Sequence, residues 1–345
     1  MGDVEYDAFL LVSFGGPEGP DDVLPFLQNV TRGRGIPPER LTAVAEHYHH
    51  FGGVSPINGQ CRELLAALQT EFADAGITLP FYWGNRNWKP FLADTVAKMR
   101  DDGIGSALAF VTSPFGSYSS CRQYLDDIAR ARAVVGAGAP EIFKVRHYHD
   151  HSSYVRPHAD AVHAALGTLP ERAAARTRIV FTAHSIPSTM DAASGPGGVG
   201  RYSAQLRETA ELVAAAAAPE LGWDLAWQSR SGPPQMPWLE PDINDHLESL
   251  AKEGVTEVVV SPIGFISDHL EVLWDLDVEA AATAARLGMG FARAATPGAD
   301  PRFVSMIREL VQERLDPERV VRHGLGSVPT WDLCPDDCCV PVKRT

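Results

Sequence analysis

Eight short apolar, β-rich runs, separated by longer stretches of helical periodicity, constrain this chain more than any other feature. The runs cover 9–14, 79–84, 107–112 and 142–147, then 178–183, 224–229, 257–263 and 288–294. Helical patterns lie between them over 60–75, 90–101, 202–216 and 243–253. Apolar strands alternating with helices predict parallel α/β sheets with helices on both faces. Four runs precede residue 170 and four follow it. A length of 345 residues also exceeds the roughly 250–300 that one core usually serves. The expectation is two similar Rossmann-like lobes, 1–170 and 171–325, followed by a tail over 326–345.

The strand ends share a pattern. LLVSFGGP, AFVTSPFG, IVFTAHSIP and VVVSPIGF each pass from an apolar run into a Ser/Thr, Gly or Pro turn. In open α/β sheets such carboxyl ends line the ligand crevice, so these turns are expected to converge on one cleft. No GxGxxG follows the first strand and no Walker A motif is present, so a nucleotide is not required. The segment ASGPGGVG at 193–200 reads as a loop, too far past its strand for a phosphate loop.

Charge narrows the partners. Against 44 Asp and Glu stand 30 Lys and Arg, a net charge of −14. That field repels nucleic acid, and an acidic ligand needs a local basic patch. No apolar run reaches the ~20 residues of a membrane span. The start, MGDVEYDAFLLVSFGG, is acidic where a signal peptide is basic, so the expected location is the cytoplasm. Five cysteines, three of them within 334–339, suggest metal or spare thiols rather than a disulfide scaffold.

Several residues have the chemistry of a metal or proton site. Asp268, Glu271 and Asp275 recur at steps of three and four, with Glu279 continuing the row. They share a helical face that either guides a divalent cation or is simply solvated. His184 lies between a strand and Pro187. Facing Glu271, it would be a base opposite a carboxylate. His147, His149 and His151 read as surface histidines in a connecting segment. Aromatics near the turns, among them Phe14, Tyr124, Trp227 and Phe265, would suit a flat apolar ligand. Arg32 and Arg34 form a small basic patch for carboxylates, or plain surface.

At these residues the sequence resembles the ferrochelatase family. The resemblance runs through SFGGPEGPDDV, FGGVSPIN at 51–58, SYSSCRQY at 117–124, FTAHSIP at 181–187, WQSRSGPPQMPWLEPD at 227–242 and SPIGFISDHLEVLWDLDVE at 261–279. It implies two Rossmann-like lobes around a porphyrin cleft and insertion of Fe²⁺ into a porphyrin. The family's catalytic histidine falls on His184 and its cleft glutamate on Glu271, together the implied iron site. Asp275 matches the next acidic position along the metal path. Ser55 and Tyr124 match porphyrin contacts, with Arg32 or Arg34 as further propionate partners. Phe14 stands where some members carry an iron-ligating tyrosine, a role Phe cannot fill.

The resemblance is to the compact branch of high-GC Gram-positive bacteria, which implies coproporphyrin III rather than protoporphyrin IX as substrate; the chain is expected to work as a monomer. A non-catalytic haem or iron carrier on the same scaffold is the binding alternative. Some family members hold a [2Fe–2S] cluster on one mid-chain and three C-terminal cysteines. Here these would be Cys121, Cys334, Cys338 and Cys339. Cys61, inside a helical pattern, reads as a buried small hydrophobe.

Overall fold

A computed structural model describes residues 5–33, 35–170, 174–232, 235–318 and 321–341. All eight apolar runs form strands: β1 (Ala8–Ser13), β2 (Phe81–Asn85), β3 (Ser106–Val111), β4 (Glu141–Lys144), β5 (Thr177–His184), β6 (Gly222–Gln228), β7 (Glu257–Ser261) and β8 (Gly290–Arg293). The helices of the first half are α1 (Pro20–Val30), α2 (Pro38–His50), α3 (Ile57–Asp74), α4 (Leu92–Asp101), α5 (Gln123–Val135) and α6 (Ser152–Leu166). Those of the second are α7 (Ser188–Ala192), α8 (Arg201–Ala217), α9 (Ile243–Lys252), α10 (Leu270–Val272), α11 (Ala281–Leu287) and α12 (Pro301–Leu315). Two π-helical segments, Tyr118–Arg122 and Leu273–Ala280, run directly into α5 and α11.

The strands form two parallel sheets, ordered β2-β1-β3-β4 and β6-β5-β7-β8. The second order is the first shifted by four, so the halves repeat one topology. In each sheet the order reverses beside its first strand, between β1 and β3 and between β5 and β7. Ligands bind at such switch points. The four turns that share the Ser/Thr-Gly-Pro pattern leave the carboxyl ends of these four strands. Close packing accounts for their glycines. A Cβ on Gly16 would lie 2.6 Å from Cβ of Ser55, and one on Gly264 would lie 2.6 Å from Cβ of Ala183.

The two sheets do not stand apart. One continuous core contains Phe9 and Phe110 of the first sheet, Ile179 and Phe181 of the second, and residues of α3, α6, α8 and α12. Helix α12 follows the last strand but packs on α3 and α6 of the first half. Fully buried Phe303 anchors it there against Phe110, Tyr148 and Tyr154, a burial that stabilises by about 1.5–3 kcal/mol.

The segment after β4 corrects the reading of the histidine run. The strand stops at Lys144, so the histidines lie in a connection, but His147, His149 and His151 are buried rather than on the surface. Nε2 of His149 meets Glu208 at 3.1 Å and Nε2 of His151 meets Glu309 at 3.3 Å. Glu208 also accepts hydrogen bonds from the backbone N–H groups of Ser327 and Val328. The histidine run therefore helps to fasten the C-terminal segment. No helix among the described residues is long and apolar enough to cross a membrane.

Candidate active site

His184 is the last residue of β5, in register with Gln228 at the end of β6. The ring's Nδ1 lies 2.5 Å from the Ser185 carbonyl oxygen. A carbonyl only accepts, so Nδ1 carries a proton and donates to it, and Nε2 is the ring nitrogen left facing Glu271. Nε2 points at Oε1 of Glu271, 3.8 Å away. The backbone here is braced: Tyr202 O–H donates to the His184 carbonyl at 2.8 Å, and Ser185 N–H donates to the Gln228 carbonyl at 2.8 Å.

Glu271 belongs to α10 and Asp275 to the π-helical segment that follows it. Burial pushes the Glu271 carboxyl up to about 7. Burial, and then the charge of Glu271, push Asp275 up to about 7 as well. The Glu271 side chain still has 42 % of its surface accessible. Water therefore still reaches the group and tempers the effect of burial. Asp275 accepts hydrogen bonds from Ser229 Oγ and, at 3.3 Å, from Gln228 Nε2. Ser229 holds a left-handed backbone at φ 63° to reach it, a strain tolerated mainly at functional sites. His269 caps α10 through Nδ1, which accepts from Val272 N–H at 3.4 Å. Burial and nearby His184 lower His269 to about 3, so it stays neutral.

The acidic row is shorter than its spacing implied. Asp268 precedes the helix and makes a two-pronged pair with Arg293, both contacts 3.1 Å. Arg293 also binds Asp277 at 2.5 Å. Glu279 accepts from Trp274 Nε1 at 2.8 Å. Glu271 and Asp275 remain as the pair close to His184.

The opposite wall comes from the first half. Phe14, just beyond β1, is 37 % exposed. Ser55 is buried beneath the Gly15–Gly16 turn, its N–H bonded to the Pro17 carbonyl at 2.8 Å. Tyr124 is buried, with its hydroxyl 3.1 Å from Thr112 Oγ1. Arg32 is exposed in the turn after α1, and Arg34 lies outside the described residues. Tyr48 of α2 was not among the candidates. Burial, and then the nearby charges of Glu271 and Asp275, push its hydroxyl upward. Its neighbour His47 stacks on Trp274 with ring centroids 3.9 Å apart and planes 8° apart.

This pairing of an imidazole with two carboxyls whose burial disfavours their charge, beside residues such as Phe14, suits proton removal beside a divalent cation. The sequence matches the family description Ferrochelatase over residues 6–315. The chain belongs to the ferrochelatase family. Among its relatives is the coproporphyrin III ferrochelatase of Nocardia farcinica, 56% identical over 344 residues, 98% of this chain and 97% of that protein. The coproporphyrin III ferrochelatase of Streptomyces griseus is 53% identical over 349 residues, 97% and 93% of the two chains. Among solved structures, the sirohydrochlorin chelatase SirB of Bacillus subtilis with Fe³⁺ has a TM-score of 0.52. It is 12% identical and covers 90% of this chain and 96% of its own. At that identity the likeness establishes the chelatase-like fold alone.

A second group of residues lies away from the cleft. Cys121, Cys338 and Cys339 are buried together, with Cys334 packed against them. Sγ of Cys338 and Cys339 are 3.6 Å apart. The Cys338 thiol donates to Cys339 and the Cys121 thiol to the Ser117 carbonyl, and hydrogen bonding among the four cysteines lowers Cys334 and Cys339 while raising Cys121 and Cys338. Gly195 N–H donates to Cys339 Sγ at 3.2 Å, so the glycine-rich loop cradles a cysteine. Arg122 holds the carbonyls of Asp336 and Cys338 at 3.1 and 3.5 Å. Cys61 is apart, buried in α3, where burial pushes its thiol up to about 11. Among the described residues, no group of three or more His, Cys, Asp or Glu side chains is arranged to hold a metal ion as it stands.

Proposed function

We propose that this chain inserts ferrous iron into coproporphyrin III, with His184 as proton acceptor and metal ligand and Glu271 as metal ligand. The observation that carries the reading is Nε2 of His184 facing Glu271 across 3.8 Å, in a chain over half identical to proteins named for that activity. A free porphyrin has two inner N–H protons and a flat ring that hides its lone pairs. As the ring bends, Nε2 takes the two inner protons one at a time and passes each on to the acidic pair and out to water, which frees it again as Fe²⁺ from Glu271 enters the ring. Asp275, next along the helix, hands hydrated iron to Glu271 or carries protons outward. Phe14 faces the ring from the other wall without ligating iron, and Ser55, Tyr124 and Arg32 or Arg34 serve the porphyrin side groups. Protoporphyrin IX is the alternative substrate.

The cysteine set suits a [2Fe–2S] cluster. Such a cluster takes four thiolates, shared between two irons rather than gathered on one ion. Cys121, Cys334, Cys338 and Cys339 supply four, already packed together in one cluster. The cluster would pin the tail to the first lobe. Iron enters and leaves the reaction as Fe²⁺, so no step passes through it. The working unit is a cytoplasmic monomer of two lobes, 1–170 and 171–325, with 326–345 as the tail. Anaerobic incubation of purified protein with Fe²⁺ and coproporphyrin III tests the reading. Turnover supports an enzyme, whereas a single stoichiometric binding event supports a carrier.

A further inference from the structure

An anionic porphyrin entering a chain of net charge −14 needs a fixed cation near the cleft, and Arg32 is an exposed turn residue. We propose that Arg86 is that cation, receiving a carboxylate side group of the tetrapyrrole beside Phe14. The assignment rests on the porphyrin reading of the cleft.

Arg86 directly follows β2. Its N–H donates to the Ser13 carbonyl at 2.9 Å, and Asn87 N–H donates to the Phe14 carbonyl at 3.0 Å. The Arg86 turn and the turn after β1 are therefore one unit. The guanidinium lies 4.4 Å from the ring centroid of Tyr124 and 5.8 Å from that of Phe14. Nε donates to Asp127 at 2.5 Å, and the side chain is only 5% exposed. Asp127 also pairs with Arg130 at 2.8 Å. Two guanidinium groups share one carboxylate, which leaves the trio with a surplus positive charge in an acidic protein.

Among the described residues the two Nη groups of Arg86 make no hydrogen bond, and neither is sealed from solvent. A largely buried fork with its two outer donors unused is an incomplete arrangement, because buried charged donors are costly when unpaired. Two adjacent N–H₂ groups match the two oxygens of one carboxylate. The Tyr124 hydroxyl is already engaged with Thr112, so at this wall the unused donors are those of Arg86.

Fluorescence quenching of coproporphyrin III and of its tetramethyl ester, the ester in mild detergent, tests the assignment on the full chain. Arg86→Met is expected to weaken binding of the free acid by roughly 10- to 100-fold, the range for a lost hydrogen bond to a charged group. It should also flatten the salt dependence and leave the ester's affinity unchanged. Arg86→Lys keeps the charge without the fork and should restore part of the loss. It also carries the test if the Met variant melts early. Equal losses on acid and ester, or no loss on the acid, would overturn the proposal while leaving the porphyrin reading intact. A wild-type chain that binds neither compound would overturn both.

Discussion

Glu271→Gln offers the sharpest test of the acidic pair. Both carboxyls titrate near 7 because burial disfavours their charge. A divalent cation needs them ionised, so protons compete with the metal. For a carboxyl titrating at about 7, the ionised fraction falls from about 0.9 at pH 8 to about 0.09 at pH 6, roughly tenfold. The two carboxyls interact and ionise in linked steps, so the pair loses more than the tenfold of a single group over that interval. The sign is fixed: affinity falls as pH falls, because protonation removes the negative charge that attracts the cation. Glu271→Gln deletes one titrating group. It also removes the charge that is the second cause of the Asp275 shift, so the remaining dependence should shrink to about tenfold or less and move to lower pH. Titration calorimetry with Zn²⁺ at several pH values, on wild type and variant, measures both slopes. The comparison cancels any titration of His184 common to the two. Wild-type affinity that is flat between pH 6 and 8, or identical slopes in the two proteins, would refute the reasoning.

Other expectations follow from the same geometry. His184→Ala should reduce iron insertion by roughly 10²- to 10⁴-fold, the usual range for a lost general base, while porphyrin fluorescence quenching persists. Near-normal turnover would remove His184 from the chemistry. Cys121→Ser should bleach the visible absorption of anaerobically purified protein and make the tail sensitive to protease, with the cleft still able to bind porphyrin. A wild-type protein containing neither iron nor sulfide would rule out the cluster. Gly16→Ala places a Cβ 2.6 Å from Ser55 and should cost about 1–3 kcal/mol by overpacking, measured as a lower denaturation midpoint. An unchanged midpoint would mean that the turn adapts freely.

The strands were legible because parallel strands buried on both faces read as plain apolar runs, and the repeated turn pattern marked the ends that meet at the switch points. His184 stood out because it directly follows such a run, and Glu271 because it belongs to an acidic row at helical spacing. The errors came where local spacing had no access to tertiary partners. Asp268 fits the helical row by number, but His269 takes the cap and Arg293, on a strand distant in sequence, claims the Asp268 carboxylate. The histidine run looked like surface because it is polar. It is buried because Glu208 and Glu309, on helices far along the chain, provide its partners. The glycine-rich loop was set apart from any strand, and only the fold brings Gly195 to Cys339. Tyr48 had no signal of its own. It lies in α2, and only the fold brings it near Glu271 and Asp275. Arg86 was hidden similarly, since a lone arginine after a strand gives no hint that Tyr124 and Phe14 will frame it.

The central claim is iron insertion into coproporphyrin III at His184 and Glu271. The most direct measurement is an anaerobic steady-state assay of Fe²⁺ insertion, comparing kcat/KM on coproporphyrin III and protoporphyrin IX for the wild type and for His184→Ala. The account predicts many turnovers per chain, a higher kcat/KM on coproporphyrin III, and loss of turnover on both porphyrins in the variant. A preference for protoporphyrin IX would contradict the substrate assignment, and a wild-type chain that binds porphyrin and iron without turning over would contradict the enzyme.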